Sequence, residues 1–483
     1  MSNTYVTIHN SLLHYTKYIV AIVVACTSIS HAELTRDQAS DALMKAVGFF
    51  RTKVSAKGGY LWKYSDDLNK REGEGKAGPL TAWVQNPGTP SVGMAYLNAY
   101  RLTRQKYLLD ASVETANALV DGQLKSGGWD YRIEFDAKVR AKYAYRVEPL
   151  RANGRNVTTL DDDVTQGALR FLMEVDRELA FKNKRVHESV EYALTSLLRA
   201  QYPNGAWPQR FSESPDPANF PVRKADFPEK WPRTWPKLDY REYYTFNDNA
   251  IATMIDTMFL AARIYDDEKL NAAAERAGDF IILAQLPEPQ PAWAQQYNVN
   301  MHPAWARKFE PASVTGGESQ GVMRVLLSLY ERTGKQKFLE PVPRALAYLK
   351  KSRLKNGKLA RFYEMKTNRP LYFTRKYELV YHSDDLPTHY GFVVSSNLES
   401  IERNYERLVK AEWTKPKPRR LTAPRLSKGL TAKAMAAIEK MDNRGAWVEK
   451  GKLKFDEGTD RVIDCRTFIK NVETLSNFIA AKN

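Results

Sequence analysis

The stretch from residue 163 to residue 207 opens with Asp163-Val-Thr-Gln-Gly-Ala-Leu169 and closes with Gln201-Tyr-Pro-Asn-Gly-Ala-Trp207. Between these ends, apolar residues recur at the three- and four-residue spacing of an amphipathic helix, with one short polar break. The pattern predicts a pair of helices that ends in a loop carrying Gly, Pro and Trp.

The same pattern occurs at three other places, so the chain contains a degenerate internal repeat. The further copies run from Ser91 to Trp129, from Asp248 to Trp293 and, without the Trp, from Glu318 to Leu359. Because one pair of helices cannot bury its own apolar face, neighbouring pairs must stack, either as a closed toroid or as a curved solenoid. An irregular insertion at 212–239, which holds Trp231 and Trp235, favours the toroid, since tandem-repeat binding proteins usually carry few insertions. We therefore predict an all-α fold, an incomplete α/α toroid of repeated helical hairpins whose long loops form a substrate cleft.

The N-terminus is predicted to be a secretory signal at residues 1–32. Lys17 precedes the apolar run 18–25, and Ser30-His-Ala32 is an A-x-A-like cleavage site. The run is too short to span a bilayer as a mature helix, so we expect no integral membrane segment in the mature chain. The expected location is therefore secreted or periplasmic. A rival interpretation is a lipoprotein cleavage box, Val23-Val-Ala-Cys26, with Cys26 lipidated.

Two further parts follow the signal. Residues 33–413 are predicted to be the toroidal catalytic domain, and residues 414–483 a basic linker with a C-terminal helical extension packed on the same domain. The extension contains one amphipathic helix at about 467–481. If Cys26 is lost with the signal, Cys465 alone remains, which excludes an intrachain disulfide. We expect a monomer.

The charge of the chain indicates a polyanionic partner. With 73 Lys and Arg against 56 Asp and Glu, the net charge is +17, which suits nucleic acid, anionic lipid or acidic polysaccharide. No Lys/Arg block or zinc-ligand spacing of a nucleic-acid-binding protein is present. Because export separates the protein from nucleic acid, we expect an acidic polysaccharide and no nucleic acid as the partner.

Several common catalytic motifs are absent from the sequence. It contains no Walker loop and no H-E-x-x-H, and only seven His. We therefore expect a mechanism that depends on carboxylates, a bound cation and Arg side chains.

Two acidic segments begin repeats of the helical pattern. In Tyr244-Thr-Phe-Asn-Asp-Asn-Ala250, Asp248 could simply cap the helix that follows, or it could bind calcium, which takes carboxylate and carboxamide oxygens. In Thr158-Thr-Leu-Asp-Asp-Asp163, three consecutive carboxylates repel one another, so a cation, an Arg or solvent must neutralise them. Both segments are expected on the same loop face.

A third segment, Arg361 to Arg375, alternates basic and aromatic residues. Guanidinium groups recognise carboxylates, and the aromatic residues Phe362, Tyr363, Tyr372 and Phe373 could stack on sugars. The segment could equally be an ordinary surface strand with flanking Arg. Arg307 is a further Arg that lies among aromatic residues.

Taken in order, these motifs resemble the pectate lyases of polysaccharide lyase family 10. The resemblance covers roughly residues 90 to 480, and each motif alone is weak while the ordered set is specific. It rests on these elements: Asn204 to Gln209, Thr245 to Ala250, Thr159-Leu-Asp161, Glu310-Pro311 with Gly317-Glu-Ser319, Ala360 to Glu364 with Thr367 to Pro370, and Arg466 to Val472.

The resemblance implies a calcium-dependent enzyme that cleaves polygalacturonate by β-elimination. Its motifs imply that Asp248 binds calcium and that Asp161 binds calcium or substrate. They also imply that Arg361 contacts a uronate carboxylate and that Arg375 occupies the position of the base, with Arg369 as the alternative. The family usually continues from that last Arg with Asp-Gly or similar, whereas Lys376-Tyr377 follow here.

Three further residues are expected to bind substrate, namely Arg369, Arg307 and Trp207. Two other functions fit the same residues. One is an inverting glycoside hydrolase on a similar toroid, which would use two of Asp161, Asp162 and Asp248 around a water. The other is a non-catalytic protein that binds acidic glycans. Endo or exo action and the tolerance for methylation are left open by the sequence.

Overall fold

The computed structural model describes residues 34–148, 154–417 and 421–482. Helices dominate these residues, and most of them come in consecutive pairs. The α-helices are α1 (Arg36–Phe49), α2 (Thr89–Thr103), α3 (Lys106–Asp121), α4 (Ala137–Arg140), α5 (Val164–Glu178), α6 (Lys184–Ala200), α7 (Ala250–Tyr265), α8 (Glu268–Leu283), α9 (Glu318–Thr333), α10 (Val342–Lys351), α11 (Leu398–Lys410), α12 (Lys428–Glu439) and α13 (Cys465–Ala480).

Short strands lie in the connections between the helices. They are β1 (Lys63–Ser65), β2 (Arg71–Glu72), β3 (Thr81–Trp83), β4 (Arg132–Glu134), β5 (Thr158–Thr159), β6 (Arg210–Phe211), β7 (Tyr244–Thr245), β8 (Gln296–Tyr297), β9 (Val314–Thr315), β10 (Leu359–Ala360), β11 (Phe362–Tyr363), β12 (Pro370–Phe373), β13 (Leu379–Val380), β14 (Val393–Val394), β15 (Glu449–Lys450) and β16 (Arg461–Asp464). They pair antiparallel in small sheets, of which the order β13-β12-β11-β9 matters most for the site.

The helices form two concentric layers. In the inner layer α13 packs on α2, α2 on α5, and α5 on α7, while α9 packs on α11. An ion pair of 2.5 Å from Arg332 on α9 to Asp256 on α7 joins the two groups. The outer helices α3, α6, α8 and α10 each pack against the inner helix of their own hairpin. Since the described residues place no extensive contact between α11 and α13, the predicted incomplete α/α toroid is confirmed.

A buried Trp follows each of the helices α3, α6, α8 and α12 and packs against the end of that helix. The indole Nε1 donates 2.8 Å bonds from Trp129 to Leu119 O on α3, and from Trp207 to Leu197 O on α6. Equivalent bonds join Trp293 Nε1 to Ile281 O at 2.8 Å and Trp447 Nε1 to Ala437 O at 2.7 Å. The recurring Trp therefore donates to a carbonyl in the last turn of a helix, where carbonyls lack intrahelical partners.

The two ends of the described chain lie together. Helix α13 packs on α1, α2 and α12, and β16 pairs with β1 from the N-terminal region. The helix expected at about 467–481 is α13, which begins two residues earlier and ends at Ala480. Its apolar side buries Phe468, Val472 and Leu475, so it belongs to the same helical layer as α2.

Among the described residues, no helix is long and apolar enough to cross a membrane. The predicted signal at 1–32 and the alternative lipidation at Cys26 lie outside the described residues.

Candidate active site

Two successive repeats present the same loop at one end of the toroid. Thr159-Leu-Asp-Asp-Asp163 begins at the last residue of β5 and leads into α5. Thr245-Phe-Asn-Asp-Asn249 begins at the last residue of β7 and leads into α7. In both loops the last two residues have positive φ, at 51° and 59° in the first and 48° and 59° in the second. Asp and Asn tolerate this left-handed conformation better than most residues. Asp162 and Asp248 are thus equivalent positions of adjacent repeats.

The two loops bring three carboxylates together. One oxygen from each of Asp161, Asp162 and Asp248 lies within 4.8 Å of the others. The Tyr131 hydroxyl lies 3.2 Å from Asp161 Oδ2 and 3.0 Å from Asp162 Oδ2, and it can donate its single proton to only one of them at a time. Arg210 is 3.8 Å from Asp161. We call Asp161, Asp162 and Asp248 the acidic trio.

The acidic trio holds more negative charge than its surroundings neutralise. The outer face of Asp248 is open to solvent, yet partial burial and the charges of Asp161 and Asp162 raise the pKa of Asp248 to about 7. Burial and the charge of Asp162 also raise the pKa of Asp161. Asp161 Oδ1 is buried and makes no hydrogen bond. A buried acceptor without a partner is costly, and hard oxygen ligands in flexible geometry suit calcium, so the trio fits a calcium ion.

A hydrogen-bond chain connects the acidic trio to Arg307. Asn247 Nδ2 donates to Asp248 Oδ2 at 2.6 Å, and Gln295 Nε2 donates to both Asn247 Oδ1 at 2.9 Å and Glu310 Oε1 at 2.7 Å. Glu310 in turn accepts two bonds from Arg307, at 2.7 and 2.5 Å. This bidentate pair fixes the guanidinium and raises the pKa of Arg307. The charge of Arg307 acts on both Asp161 and Asp248.

A second Arg–carboxylate pair lies beside the first. Arg361 Nη1 donates to Glu318 Oε1 at 2.9 Å, and its Nε donates to the carbonyl of Gly391 at 2.6 Å. Tyr390 lies between the two pairs, since its hydroxyl donates to Glu310 Oε1 at 3.2 Å and its ring is 4.7 Å from the Arg361 guanidinium. Arg307 and Arg361 therefore lie on one side of the acidic trio, with Tyr390 between them.

Arg375 and Arg369 lie in more exposed surroundings. The Arg375 side chain is 71% exposed and pairs with Asp385 at 3.2 Å. The Arg369 guanidinium stacks 3.5 Å from the centroid of the Tyr381 ring. For neither residue do the described contacts include the acidic trio. Arg375 therefore lies against Asp385 and solvent, without a described contact to the groups that could hold the reacting sugar.

The predicted sugar-stacking aromatics are core residues, and this corrects the sequence interpretation. Trp207 is 1% exposed and packs against the end of α6, so it has no face to offer a substrate. Phe362, Tyr363, Tyr372 and Phe373 are between 0 and 6% exposed. They pack inside the sheet β13-β12-β11-β9 or against its neighbours, because a strand so rich in large apolar side chains is stabilised by burial.

Several site residues were not selected as such from the sequence. The metal ligands predicted there were Asp248 and Asp161, and Asp162 joins them in the structure. The signal that could have found it is the repeat of Thr-x-(Asp/Asn)-Asp-(Asp/Asn) in the two loops. Tyr131, Arg210 and Tyr390 come from distant segments, and no local pattern marks them.

One protein family and several solved structures resemble parts of this chain. Residues 123–359 match the family model described as pectic acid lyase. The match contains the acidic trio, Arg307 and Glu318 and ends just before Arg361. No curated protein matches the chain.

Several solved structures share low similarity with the chain. One is a mutant family 10 polysaccharide lyase from Cellvibrio cellulosa in complex with trigalacturonic acid, with 20% identity over 66% of this chain and 98% of that one and a TM-score of 0.45. Another is a GH76 α-mannanase from Bacteroides thetaiotaomicron, with 13% identity over 92% and 94% of the two chains and a TM-score of 0.38. Residues 123–359 therefore carry a pectic acid lyase domain, and the protein is an enzyme of the polysaccharide lyase class.

Proposed function

We propose that the protein is a pectate lyase that cleaves polygalacturonate by calcium-assisted β-elimination and releases unsaturated oligogalacturonides. The observation that carries this proposal is the acidic trio, with the unpartnered Asp161 Oδ1, beside two fixed guanidinium groups. A polyuronate brings one carboxylate per sugar, and such a substrate needs both a cation and Arg side chains to hold it.

Calcium would be held by Asp161, Asp162 and Asp248. Bound there, it would neutralise the carboxylate of the reacting uronate, make the adjacent proton more acidic and favour the neutral form of a neighbouring guanidinium. Tyr131 positions the first two carboxylates through its hydroxyl. The Asn247–Gln295–Glu310 chain sets the position of Asp248 relative to Arg307.

We assign the base to Arg307 in place of Arg375. The base takes the proton from C5 of the uronate, the electron pair forms the C4–C5 double bond, and the bond from C4 to the glycosidic oxygen breaks. The leaving oxygen then takes a proton from water. Arg307 is less exposed than Arg375, at 40% against 71%, and its charge acts on Asp161 and Asp248. Since Glu310 raises the pKa of Arg307, we expect an alkaline optimum.

Arg361 is proposed to bind a uronate carboxylate. It is 23% exposed and is fixed by Glu318 and the carbonyl of Gly391, so its remaining N–H groups are preorganised for an anion. Arg369 and Arg375 flank the two opposite ends of β12 and would contact only longer substrates.

The inverting hydrolase is less compatible with the site. Inverting enzymes hold their two carboxyl groups roughly 6.5–9.5 Å apart to admit a water, whereas the trio has oxygens within 4.8 Å of one another. The carboxylates are therefore spaced for sharing a cation.

The experiment that tests the function is incubation with polygalacturonate in the presence of calcium or a chelator. We expect ultraviolet absorbance from unsaturated uronate ends, abolished by the chelator and restored by added calcium. Reducing ends without that absorbance would establish the hydrolase. Binding without any product would establish a glycan-binding protein.

The assignment of the base is tested by comparing Arg307→Lys, Arg307→Ala and Arg375→Ala. Loss of a general base costs roughly 10²–10⁴-fold in kcat. We expect that loss for both Arg307 variants with substrate binding retained, and a small change for Arg375→Ala. If Arg375→Ala is inactive and Arg307→Ala keeps substantial activity, the base is Arg375.

A further inference from the structure

A pocket lined by aromatic and basic side chains adjoins the acidic trio. Its volume is about 310 Å³, at the lower end of the range of ligand-binding clefts. The lining residues are Trp235, Tyr240, Arg307, Lys308, Phe309 and Tyr377. None of them is a carboxylate, so the lining residues contribute positive charge and no negative charge. We call it the Lys308 pocket.

The irregular insertion at 212–239 supplies one wall of this pocket. The Trp235 indole Nε1 donates a 2.7 Å bond to the carbonyl of Ala306, and its ring packs beside the apolar cluster around Trp305 and Phe373. This bond fixes the insertion to the backbone of Ala306, two residues before Lys308. It holds the half-buried Trp235 ring at the wall of the pocket.

Lys308 brings a positive charge that has no counter-charge. Among the described residues, no carboxylate lies within ion-pair distance of its amine. Its Nζ lies 5.7 Å from the centroid of the Trp235 ring and 5.6 Å from that of Tyr377. Cation–π contacts hold the ammonium in place but leave it free to bind an anion. Arg307 and Arg361 differ from it, since each is already paired with a carboxylate.

Arg307 lies between the Lys308 pocket and the acidic trio. Arg307 lines the pocket, and its charge acts on Asp161 and Asp248. Tyr240 also lines the pocket, and the charges of Arg307 and Asp161 both act on the pKa of its hydroxyl. A polymer bound at the trio can therefore extend one sugar past Arg307 into the pocket.

We propose that the Lys308 pocket binds one uronate unit of the polymer next to the cleavage centre. The Lys308 ammonium pairs with the carboxylate of that unit, and the Trp235 and Tyr377 rings flank the sugar ring. The pocket therefore makes the enzyme prefer a free carboxylate over a methyl ester at this position. This inference rests on the proposed function, which supplies the uronate polymer.

The test measures direct binding of an oligogalacturonate and of its methyl ester by Lys308→Gln and Trp235→Ala. A charge-assisted hydrogen bond is worth about 1.5–3 kcal/mol, so we expect Lys308→Gln to weaken oligogalacturonate binding by about tenfold or more. Methyl-ester binding should change little in Lys308→Gln, while Trp235→Ala should weaken both ligands. On polygalacturonate, Lys308→Gln should raise KM and leave kcat nearly unchanged.

Matched controls are Lys182→Gln and Trp413→Ala. Lys182 is an exposed Lys in the turn after α5, and Trp413 is 39% exposed with its Nε1 bonded to the Glu331 carbonyl at 3.0 Å. Both should bind like the wild type. Unchanged oligogalacturonate binding by Lys308→Gln overturns the inference, as does an equal loss for the methyl ester.

The binding assay stays informative whatever the reaction is. If the wild-type enzyme forms no unsaturated product, the proposed lyase function is excluded. The binding comparison between the wild type and Lys308→Gln can still be made, because it does not require turnover. If Trp235→Ala unfolds, Lys308→Gln decides alone, because it changes only the head group of an exposed side chain.

Discussion

Asp162 and Asp248 have backbone conformations that most L-residues avoid, with φ of 51° and 48°. Such conformations cost roughly 1–3 kcal/mol each and persist where the surrounding structure enforces them. Here they bring like charges together, which adds a second destabilising contribution. A bound cation would offset the second of these unfavourable features, which is the role proposed above for calcium.

At the same scale, Trp207 is predicted to support stability and not substrate binding. Trp207→Phe keeps an aromatic ring but loses the bond to the Leu197 carbonyl. The expected loss in the free energy of unfolding is about 1–3 kcal/mol, from the unsatisfied buried acceptor. Chemical denaturation measures that loss, and KM for polygalacturonate should stay near the wild-type value. If Trp207→Phe raises KM while the free energy of unfolding stays unchanged, Trp207 binds substrate after all.

At the scale of the element, the two acidic loops should make the response to calcium depend on pH. The pKa of Asp248 is raised to about 7, so the folded state binds this proton more tightly than the unfolded state does. Without metal, stability is therefore lost as pH rises from about 4, the ordinary Asp value, through about 7. Calcium binds the deprotonated trio, so the rise in Tm on adding calcium should be small at low pH and large above neutrality.

Asp248→Asn is the matched variant for this pH dependence. Asn tolerates the left-handed backbone but removes one charge from the acidic trio. We expect the variant to be at least as stable as the wild type in chelator at alkaline pH and to lose most of the calcium-induced rise in Tm. Thermal unfolding across pH, with and without calcium, measures both effects. A full calcium response in Asp248→Asn would exclude Asp248 as a ligand.

The loop between α6 and α7 depends on Gly205. Its φ is +95°, and a Cβ there would lie 2.0 Å from the carbonyl oxygen of Arg276 on α8. Gly357 also has positive φ, +76°, but a Cβ there would meet nothing within 4 Å. Gly357→Ala should cost about 1–2 kcal/mol of unfolding free energy from backbone strain. Gly205→Ala should cost about 1–3 kcal/mol more, from overpacking. If urea denaturation gives the same loss of unfolding free energy for both variants, the close approach of residue 205 to α8 is relieved without a cost in stability.

For the whole molecule, the net charge of +17 should steer a polyanionic substrate. The Debye length falls from about 30 Å at 0.01 M ionic strength to about 3 Å at 1 M. We therefore expect kcat/KM on polygalacturonate to fall steadily over that range at fixed calcium. A short neutral substrate analogue should show a weaker dependence in a binding assay. Flat salt dependence would place the surplus charge away from the cleft.

The helical architecture of the whole molecule was predictable because its determinants are local. The repeat of apolar spacing with a closing loop predicted the hairpins α2–α3, α5–α6, α7–α8 and α9–α10, and the structure confirms them. Composition did not predict the role of the recurring Trp, since a Trp in a loop can face either the core or a sugar. Only the packing of Trp207 under α6 decides between these two.

The sequence by itself determined the repeated hairpins, the excess of positive charge and the pairing of acidic loops with helix starts, since each depends on residues close together in the chain. The tertiary structure alone decided which charges meet. It added Asp162 to the acidic trio and placed Arg307 beside it, while leaving Arg375 exposed against Asp385. The physical reason is that the pKa and role of a charged group depend on burial and neighbours within a few ångströms. Those neighbours come from repeats some 50 to 150 residues apart, which the fold brings to one end of the toroid.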